Sequence, residues 1–520
     1  MTAAGLLRRL DELQIDLYLD GEQLCFRAPH GVMSDELRNE IALSKAELGG
    51  LLRDATRLVG RHSRWVPSDD DLPMTPNQLW YLNTFEPERH TWAASLALSV
   101  PWSVSEQLLC ATIEVLVQQH DVFRMRQYRT ADGRWAQRIM PSEKTRKIGV
   151  HNMSGLSPEE RTRAVHEVGH QLQSSLSSIH GPVIALALCR MEPHSDMVVL
   201  CLHKYVVDGY SINIVLDELW RIYEDLAQDR DARSHSECST YRDYLFALHD
   251  YERRPMFVAR ALAFWSSPDH VQPTPALPVD MAGGRHTDIN SRRISVLLEP
   301  ELLRSAARFL GSQEGASFNN VLLFSLARAY FRWSGQRILR LDFEYHGRAA
   351  VLPQLDLMRT IGPTTIKFPI VLHSDAGADV RTAFSQLCST VHDSVGNAFG
   401  YGYLRYKCAD SSVGRELARC APAQVFLNNR TTLSRFGAPS QPAPSAVPAP
   451  VVSAHALHFL EPKTQENPVS YDLMVECDDA GSAVLMSWVY SSAIYHESTI
   501  RELSQRSFYA LGELADYGAR

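Results

Sequence analysis

Helical and strand-like hydrophobic periods interleave along the chain from residue 73 onward, and that alternation limits the architecture more than any single motif does. Helical spacing is clearest near 104–120, 158–176, 211–227 and 301–334. Strand-like runs lie at 183–189, 197–202, 293–298, 337–344, 364–372, 423–428 and 484–490. Each such element has one apolar face that another must cover, and interleaved helices and strands do this as layers. An α/β fold is expected. By length alone, 520 residues suggest about three domains. The 435–451 stretch, with Pro439, Pro442, Pro444, Pro448 and Pro450, reads as an exposed polyproline-like loop.

The first 58 residues form a separate small unit. Leu6, Leu7 and Leu10 have helical spacing. Ile15, Leu17 and Leu19 then alternate with polar residues, Asp20-Gly21 follows, and Leu24 and Phe26 alternate again. An Asp-Gly pair between alternating runs signals a hairpin whose two central residues have positive φ. Ser34 is placed to cap a helix carrying Asp35 and Glu36 in its first turn and an apolar stripe of Leu37, Ile41, Leu48 and Leu51. The unit is therefore helix, hairpin, helix. It either packs on the main body or offers its hairpin edge to a strand from another chain. Residues 59–72, polar with Trp65, read as a linker.

Charge and cysteine usage narrow the partners. Sixty acidic against 52 basic residues leave a net charge of −8, which argues against nucleic acid or an anionic membrane as the main partner. Charges appear in MTAAGLLRRLDEL before an apolar leader could form, and no apolar run is long enough to span a bilayer. The nine cysteines are scattered without a C-x-x-C, as in a reducing compartment. A cytoplasmic, monomeric protein with no metal is expected.

Two patterns compete to carry chemistry. His166-Glu167-Val168-Gly169-His170 has the i, i+4 histidines of a zinc peptidase helix. However, Val165, Val168 and Leu172 define the buried side of that helix, the histidines flank it, and Gln173 and Leu176 stand where Gly and a third His would be needed. The second pattern is longer. An apolar strand, Val198–Leu202, leads into His203-Lys204-Tyr205-Val206-Val207-Asp208-Gly209, and a helix follows. A strand ending in such a loop before a helix is where α/β folds place reactive groups.

This second pattern resembles H-H-x-x-x-D-G, the signature of condensation domains in nonribosomal peptide synthetases. Others follow in family order. Thr75–Trp80 resembles a degraded S-x-A-Q-x-R-L-W, and Gln119–Arg124 resembles R-H-E-x-L-R. Tyr241–Tyr244 resembles Y-x-D-F, Gly347-Arg348 an interior G-R, and Ile361-Gly362 opens a segment similar to I-G-x-F-V-N-T. Residues 1–55, with Phe26-Arg27-Ala28-Pro29, resemble the β-hairpin docking domains of synthetase subunits. The resemblance implies two chloramphenicol-acetyltransferase-like lobes in a V-shaped pseudo-dimer (73–235 and 236–520), with a tunnel between them. It implies acyl transfer from a carrier protein's phosphopantetheine thioester to an amine or alcohol, in chain elongation or release on a peptide or hybrid polyketide assembly line. The cofactor comes with the partner and none is resident.

The resemblance departs at one place that matters. Alignment on Asp208-Gly209 puts the first His at His203 and Lys204 where the second, usually credited with catalysis, would stand. A lysine is cationic at neutral pH unless burial lowers its pKa. Lys204 is then a base of lowered pKa, or a cation facing the tetrahedral oxyanion, or the mark of a domain that only binds carriers. The resemblance further implies that Asp208 pairs with an arginine, Arg124 and Arg348 being the candidates, and that Gly209 admits the reacting carbonyl or turns tightly. Ser211, Asn428 and Asp472 are expected on the acceptor side. The chain has no room for an adenylation domain and no carrier motif, so donor and acceptor are expected to arrive in trans. The acceptor is then a second carrier or a free small molecule. Arg27, His30, Lys45 and Arg53 are the candidate contacts for an acidic C-terminal tail on the upstream carrier.

Overall fold

The computed structural model describes residues 2–62, 71–84, 93–131, 133–141, 148–192, 195–232, 238–311, 317–348, 352–375, 377–420, 422–431, 469–480 and 483–518. The proline-rich stretch at 435–451 lies outside them.

The N-terminal unit comprises α1 (Ala3–Glu12), β1 (Asp16–Asp20), β2 (Gln23–Arg27), α2 (Asp35–Leu43) and α3 (Lys45–His62). Ser34 caps α2, its hydroxyl accepting from the Leu37 N–H at 3.2 Å. In the hairpin Asp20 pairs with Gln23, so Gly21 and Glu22 are the central residues, and of these only Gly21 has positive φ, +60°. Glycine first with an ordinary second residue is the type II′ arrangement, so Asp20-Gly21 marks the start of the turn rather than its centre. The single helix expected after Ser34 is two. Ser44 and Lys45 occupy the positions that a straight continuation of the Leu37–Ile41 stripe would turn inward, and the chain breaks there. Helix α3 continues to His62, over the first four residues of the expected linker.

The body continues with β3 (Asp71–Leu72), α4 (Pro76–Thr84), β4 (Ala93–Val100), α5 (Glu106–Gln119), β5 (Met125–Arg129), β6 (Trp135–Ile139), β7 (Gly149–Asn152), α6 (Pro158–Ser174), β8 (Ile184–Glu192), β9 (Ser195–His203) and α7 (Gly209–Ala227). Next come α8 (Tyr241–Glu252), α9 (Pro255–Trp265), α10 (Pro268–Val271), β10 (Ser291–Leu298), α11 (Pro300–Gly311), α12 (Phe318–Ser334), β11 (Ile338–Tyr345) and β12 (Ile366–His373). The last are α13 (Val380–Gly396), α14 (Ala398–Gly402), α15 (Ser412–Arg419), β13 (Val425–Asn429), β14 (Leu473–Ala480), β15 (Ala483–Ser491) and α16 (Glu497–Gly518). The helix expected over 301–334 is therefore two, α11 and α12.

Three sheets organise the body: β4-β9-β8-β7, β3-β6-β5 and β10-β15-β14-β13-β11-β12. The first two belong to one lobe and the six-stranded sheet to the other. Strand β9 is covered on both faces. Val198, Leu200 and Leu202 join the main core, while Val199 packs with Ala97, Ala187 and Cys189 against Val165 and Val168 of α6. That double burial explains its unbroken apolar run. The hairpin β8–β9 and helix α7 of the first lobe recur as β14–β15 and α16 in the second. The nine cysteines are free thiols, and no helix among the described residues is long and apolar enough to cross a membrane.

The N-terminal unit is packed on the second half of the chain, at α9. Leu6, Leu7, Leu10, Ile15 and Leu17 belong to the same buried cluster as Met256 and Phe257. Asp11 accepts from Arg260 at 2.5 Å and from the Tyr251 hydroxyl at 3.2 Å, Arg8 pairs with Asp393, and the Leu17 N–H points to the Met256 sulfur at 3.2 Å.

Candidate active site

The loop after β9 is held from below and open above. At its base His203, the last residue of β9, is 1% exposed. The His203 N–H donates to the Val183 carbonyl at 2.8 Å, and Nδ1 accepts from the Tyr205 N–H at 3.1 Å. An occupied Nδ1 puts the ring proton on Nε2. Tyr81 and Tyr205 meet the imidazole edge to face. Burial, assisted by the charge of Arg126, lowers its pKa to about 3. His203 is therefore a neutral, enclosed residue that shapes the loop.

Lys204 is half-buried in the same loop, and Gly209 is exposed as the first residue of α7. A methyl group on Gly209 would meet nothing within 4 Å, and its φ is not positive. No tight turn requires glycine there, so what distinguishes the position is unobstructed approach.

Asp208 caps α7 and joins the two lobes. Its carboxylate accepts from the Ser211 N–H and hydroxyl at 2.7 Å each. It also accepts from the Thr364 N–H at 2.9 Å, the Thr365 N–H at 3.2 Å and Arg348 Nη2 at 3.2 Å. Arg348 in turn donates to the carbonyls of Thr360 (2.6 Å) and Leu357 (2.8 Å), and its guanidinium lies over Tyr210, 4.6 Å from the ring centre. Both charged side chains are at most 1% exposed. Gly347, at φ +66°, lies so close to the Thr364 carbonyl that a methyl would overlap it, which explains glycine before Arg348. Gly362 donates to Ser211 Oγ at 3.0 Å and lies against the Tyr241 ring. Arg359 adds a second bridge between the lobes, reaching Glu218 of α7 at 2.7 Å.

The outlying motifs support this loop. Thr75 and Gln78 cap α4 reciprocally, and Gln78 donates to Gln137, which accepts from the Tyr205 hydroxyl at 2.8 Å. Thr240 and Asp243 form a capping box on α8.

The pattern described as Condensation domain matches residues 68–519, and that described as TubC N-terminal docking domain matches residues 4–54. The chain belongs to the condensation-domain family.

One of the linear gramicidin synthase proteins of Brevibacillus parabrevis is 28% identical over 86% of the chain, and chondramide synthase of Chondromyces crocatus is 30% identical over 66%. The chain spans 6% and 9% of the lengths of these two relatives. The fold is shared with an epimerization domain of tyrocidine synthetase B, at TM-score 0.74 and 22% identity over 86% of this chain and 98% of that one. It is shared over 98% of the chain with the EpoB cyclization-docking bidomain of Sorangium cellulosum, at TM-score 0.63, 17% identity and 97% coverage of that chain. A condensation domain described in chain release from the enacyloxin polyketide synthase aligns over 99% of this chain and 96% of its own, at TM-score 0.62 and 18% identity. The condensation domain here accordingly has the two-lobed fold, preceded by a docking domain.

Several expected site residues sit elsewhere. Arg124 is not the partner of Asp208: it donates to the Met140 carbonyl at 3.2 Å, because the turn at 121–124 directs it away from α7. Ser211 is fully buried in the lobe-joining cluster, where Asp208 and the Gly362 carbonyl accept from its hydroxyl. Asn428, on β13 opposite Glu476 of β14, and Asp472, just before β14 and accepting from Gln424 at 2.6 Å, stand four residues apart in register along these neighbouring strands. His166 and His170 are exposed on α6, and no group of three or more candidate metal ligands occurs among the described residues. His346 was not foreseen. It follows β11, and its ring lies 6.4 Å from that of Tyr210 beside the open end of α7.

The enclosed imidazole makes a pH prediction. Unfolded histidine binds a proton near pH 6.5, and folded His203 only near pH 3, so the unfolded state binds more protons between those values. Stability is full above about pH 6.5 and is lost as pH falls toward 3. Urea midpoints at pH 7 and pH 5 should show His203→Asn losing about 2 kcal/mol less than the unsubstituted protein over that interval. Equal losses would contradict the assignment.

Proposed function

We propose that this condensation domain transfers an acyl chain from a carrier protein's phosphopantetheine thioester to an amine or alcohol, with Lys204 as the cation facing the reacting carbonyl. The observation that supports this most is the division of labour within the loop. His203 is shut in and hydrogen-bonded by its own loop, whereas Lys204 is half-buried in the loop that ends at the unobstructed Gly209. The neutral nucleophile adds to the thioester carbon, the ammonium of Lys204 stabilises the oxyanion, and collapse breaks the C–S bond. The nucleophile's proton passes to the departing thiolate, leaving an amide or ester and a free carrier thiol. The positive end of α7 adds to the same stabilisation. The carrier brings the phosphopantetheine; the domain contributes positioning and charge.

Intact mass spectrometry of an acyl-loaded carrier tests this reading across a panel of amines and alcohols. Acyl loss with appearance of the coupled product supports it. Unloading at the uncatalysed rate with every acceptor would favour the second reading, a carrier-binding module, which one observation supports: a lysine in place of the second motif histidine.

The docking domain would receive the upstream carrier's tail along β2, which among the described residues pairs only with β1. Arg27 at the end of β2, His30 just after it, and Lys45 and Arg53 on α3 are all exposed, and Arg38 lies 5.6 Å over the Phe26 ring. Reversing charge with Arg27→Glu and Lys45→Glu is expected to weaken binding of a carrier with an acidic tail at least tenfold and to flatten its salt dependence. Unchanged affinity in a calorimetric titration would remove these residues from the interface.

A further inference from the structure

A second lysine stands in the segment similar to I-G-x-F-V-N-T. Its last position is Lys367, on β12. The side chain is half-buried on the face of the six-stranded sheet that meets α4 of the other lobe. Its ammonium lies 3.8 Å from the Trp80 ring centre, 4.7 Å from that of Phe426 and 5.4 Å from that of Tyr471. Phe426 and Tyr471 are stacked with each other at 4.9 Å. Three aromatic faces attract a cation but leave its three N–H donors without strong acceptors.

Among the described residues, no hydrogen-bond acceptor or carboxylate lies within bonding range of the Lys367 ammonium. The Asp342 carboxylate, whose charge Lys367 feels, is taken by the Tyr471 hydroxyl at 2.8 Å and is pushed toward its neutral form by burial. Burial lowers the pKa of Lys367; the charges of Glu344 and Asp342 oppose this, and that of Lys204 adds to it. Lys367 faces a small cleft between the lobes, which it lines with Thr75, Asn77, Trp80, Thr365 and Tyr406. Asn77 presents a buried amide oxygen with no partner at the same place.

We propose that Lys367 in its aromatic cage anchors a free carboxylate of the acceptor, so that the acceptor is an amino or hydroxy acid rather than a neutral amine or alcohol. The chemistry of transfer singles out the acceptor. The acyl donor's own carboxyl is consumed as the thioester, whereas an acceptor that attacks through nitrogen or oxygen keeps its acid group. Lys367 supplies the charge-assisted hydrogen bonds, the rings keep its stem in place, and Lys204 is left to the carbonyl. This inference rests on the acyl-transfer reading for its meaning but not for its test.

Saturation-transfer NMR on the full chain would compare a panel of ω-amino and hydroxy acids, 4-aminobutyrate and 3-hydroxybenzoate among them, with the matching carboxamides. At least one acid is expected to bind about tenfold or more tightly than its carboxamide. Lys367→Met is expected to abolish that preference, and Lys367→Arg to retain part of it. Lys367→Gln provides a second neutral variant should Lys367→Met unfold. Equal binding of acids and carboxamides, no binding by any acid, or a preference that survives loss of the charge would each overturn the proposal. Acids that bind through Lys367 while no acceptor unloads the carrier would uphold the anchor and sink the transfer reading.

Discussion

Arg348→Met is expected to destabilise the protein by about 3–5 kcal/mol and to split its calorimetric unfolding into two transitions. The size follows from what the substitution strands. Asp208 would stay buried as a carboxylate without its counter-charge, and the carbonyls of Leu357 and Thr360 would lose the donor that holds the 352–364 loop in place. The splitting follows from where the partners lie. Asp208 and Ser211 belong to the helix following the four-stranded sheet, whereas Arg348, Gly362, Thr364 and Thr365 belong to the segment between two strands of the six-stranded sheet. Asp208→Asn should cost less than Arg348→Met, because the amide oxygen can still accept from Ser211. A loss below about 1 kcal/mol in Arg348→Met would mean that the pair contributes no more than an exposed ion pair.

Lys204→Met is expected to slow carrier unloading about 10²–10³-fold, the cost typical of removing one preorganised oxyanion partner. Lys204→Arg separates the two chemical roles. A guanidinium keeps the charge but cannot serve as a base at neutral pH, so a charge-stabilising role predicts that Lys204→Arg retains activity within about tenfold. A base role predicts that Lys204→Arg falls as far as Lys204→Met, while Lys204→His recovers more. His203→Asn should change the rate little, because the imidazole it replaces is enclosed and its Nδ1 is already occupied.

Much of this arrangement could be read from residue order, and the exceptions have physical causes. Strand β9 and helix α7 were legible because a strand buried on both faces must be continuously apolar, and the residues after it abruptly are not. Strand β4, reading Ala-Ala-Ser-Leu-Ala-Leu-Ser-Val, is equally buried but rich in small residues, which carry little strand signal. Helix α9 is apolar on nearly every side because the docking domain covers one face and the second lobe another, so no periodicity marks it. At the site, Asp208 needed a buried cation, but Arg124 and Arg348 were equivalent in one dimension, and only the fold brings position 348 beneath α7. Lys367 was invisible for the same reason: the sequence of its strand gives no hint that Trp80, Phe426 and Tyr471 converge on one of its side chains.

The seating of the docking domain on α9 has a consequence for how any docked carrier finds the reactive loop. Helix α9 also packs on α14, Trp265 donating to the Asn397 carbonyl at 2.8 Å, so the unit is joined to the same lobe as the sheet that walls the cleft. A recruiting unit on a loose tether would let its cargo sample a large volume and dilute it. Fixed in place, it leaves the carrier's own linker as the remaining leash. On the proposed acyl-transfer reading, the effective concentration of the thioester at Lys204 would then depend on how closely that leash matches the span, and would fall when it is either too short or too long.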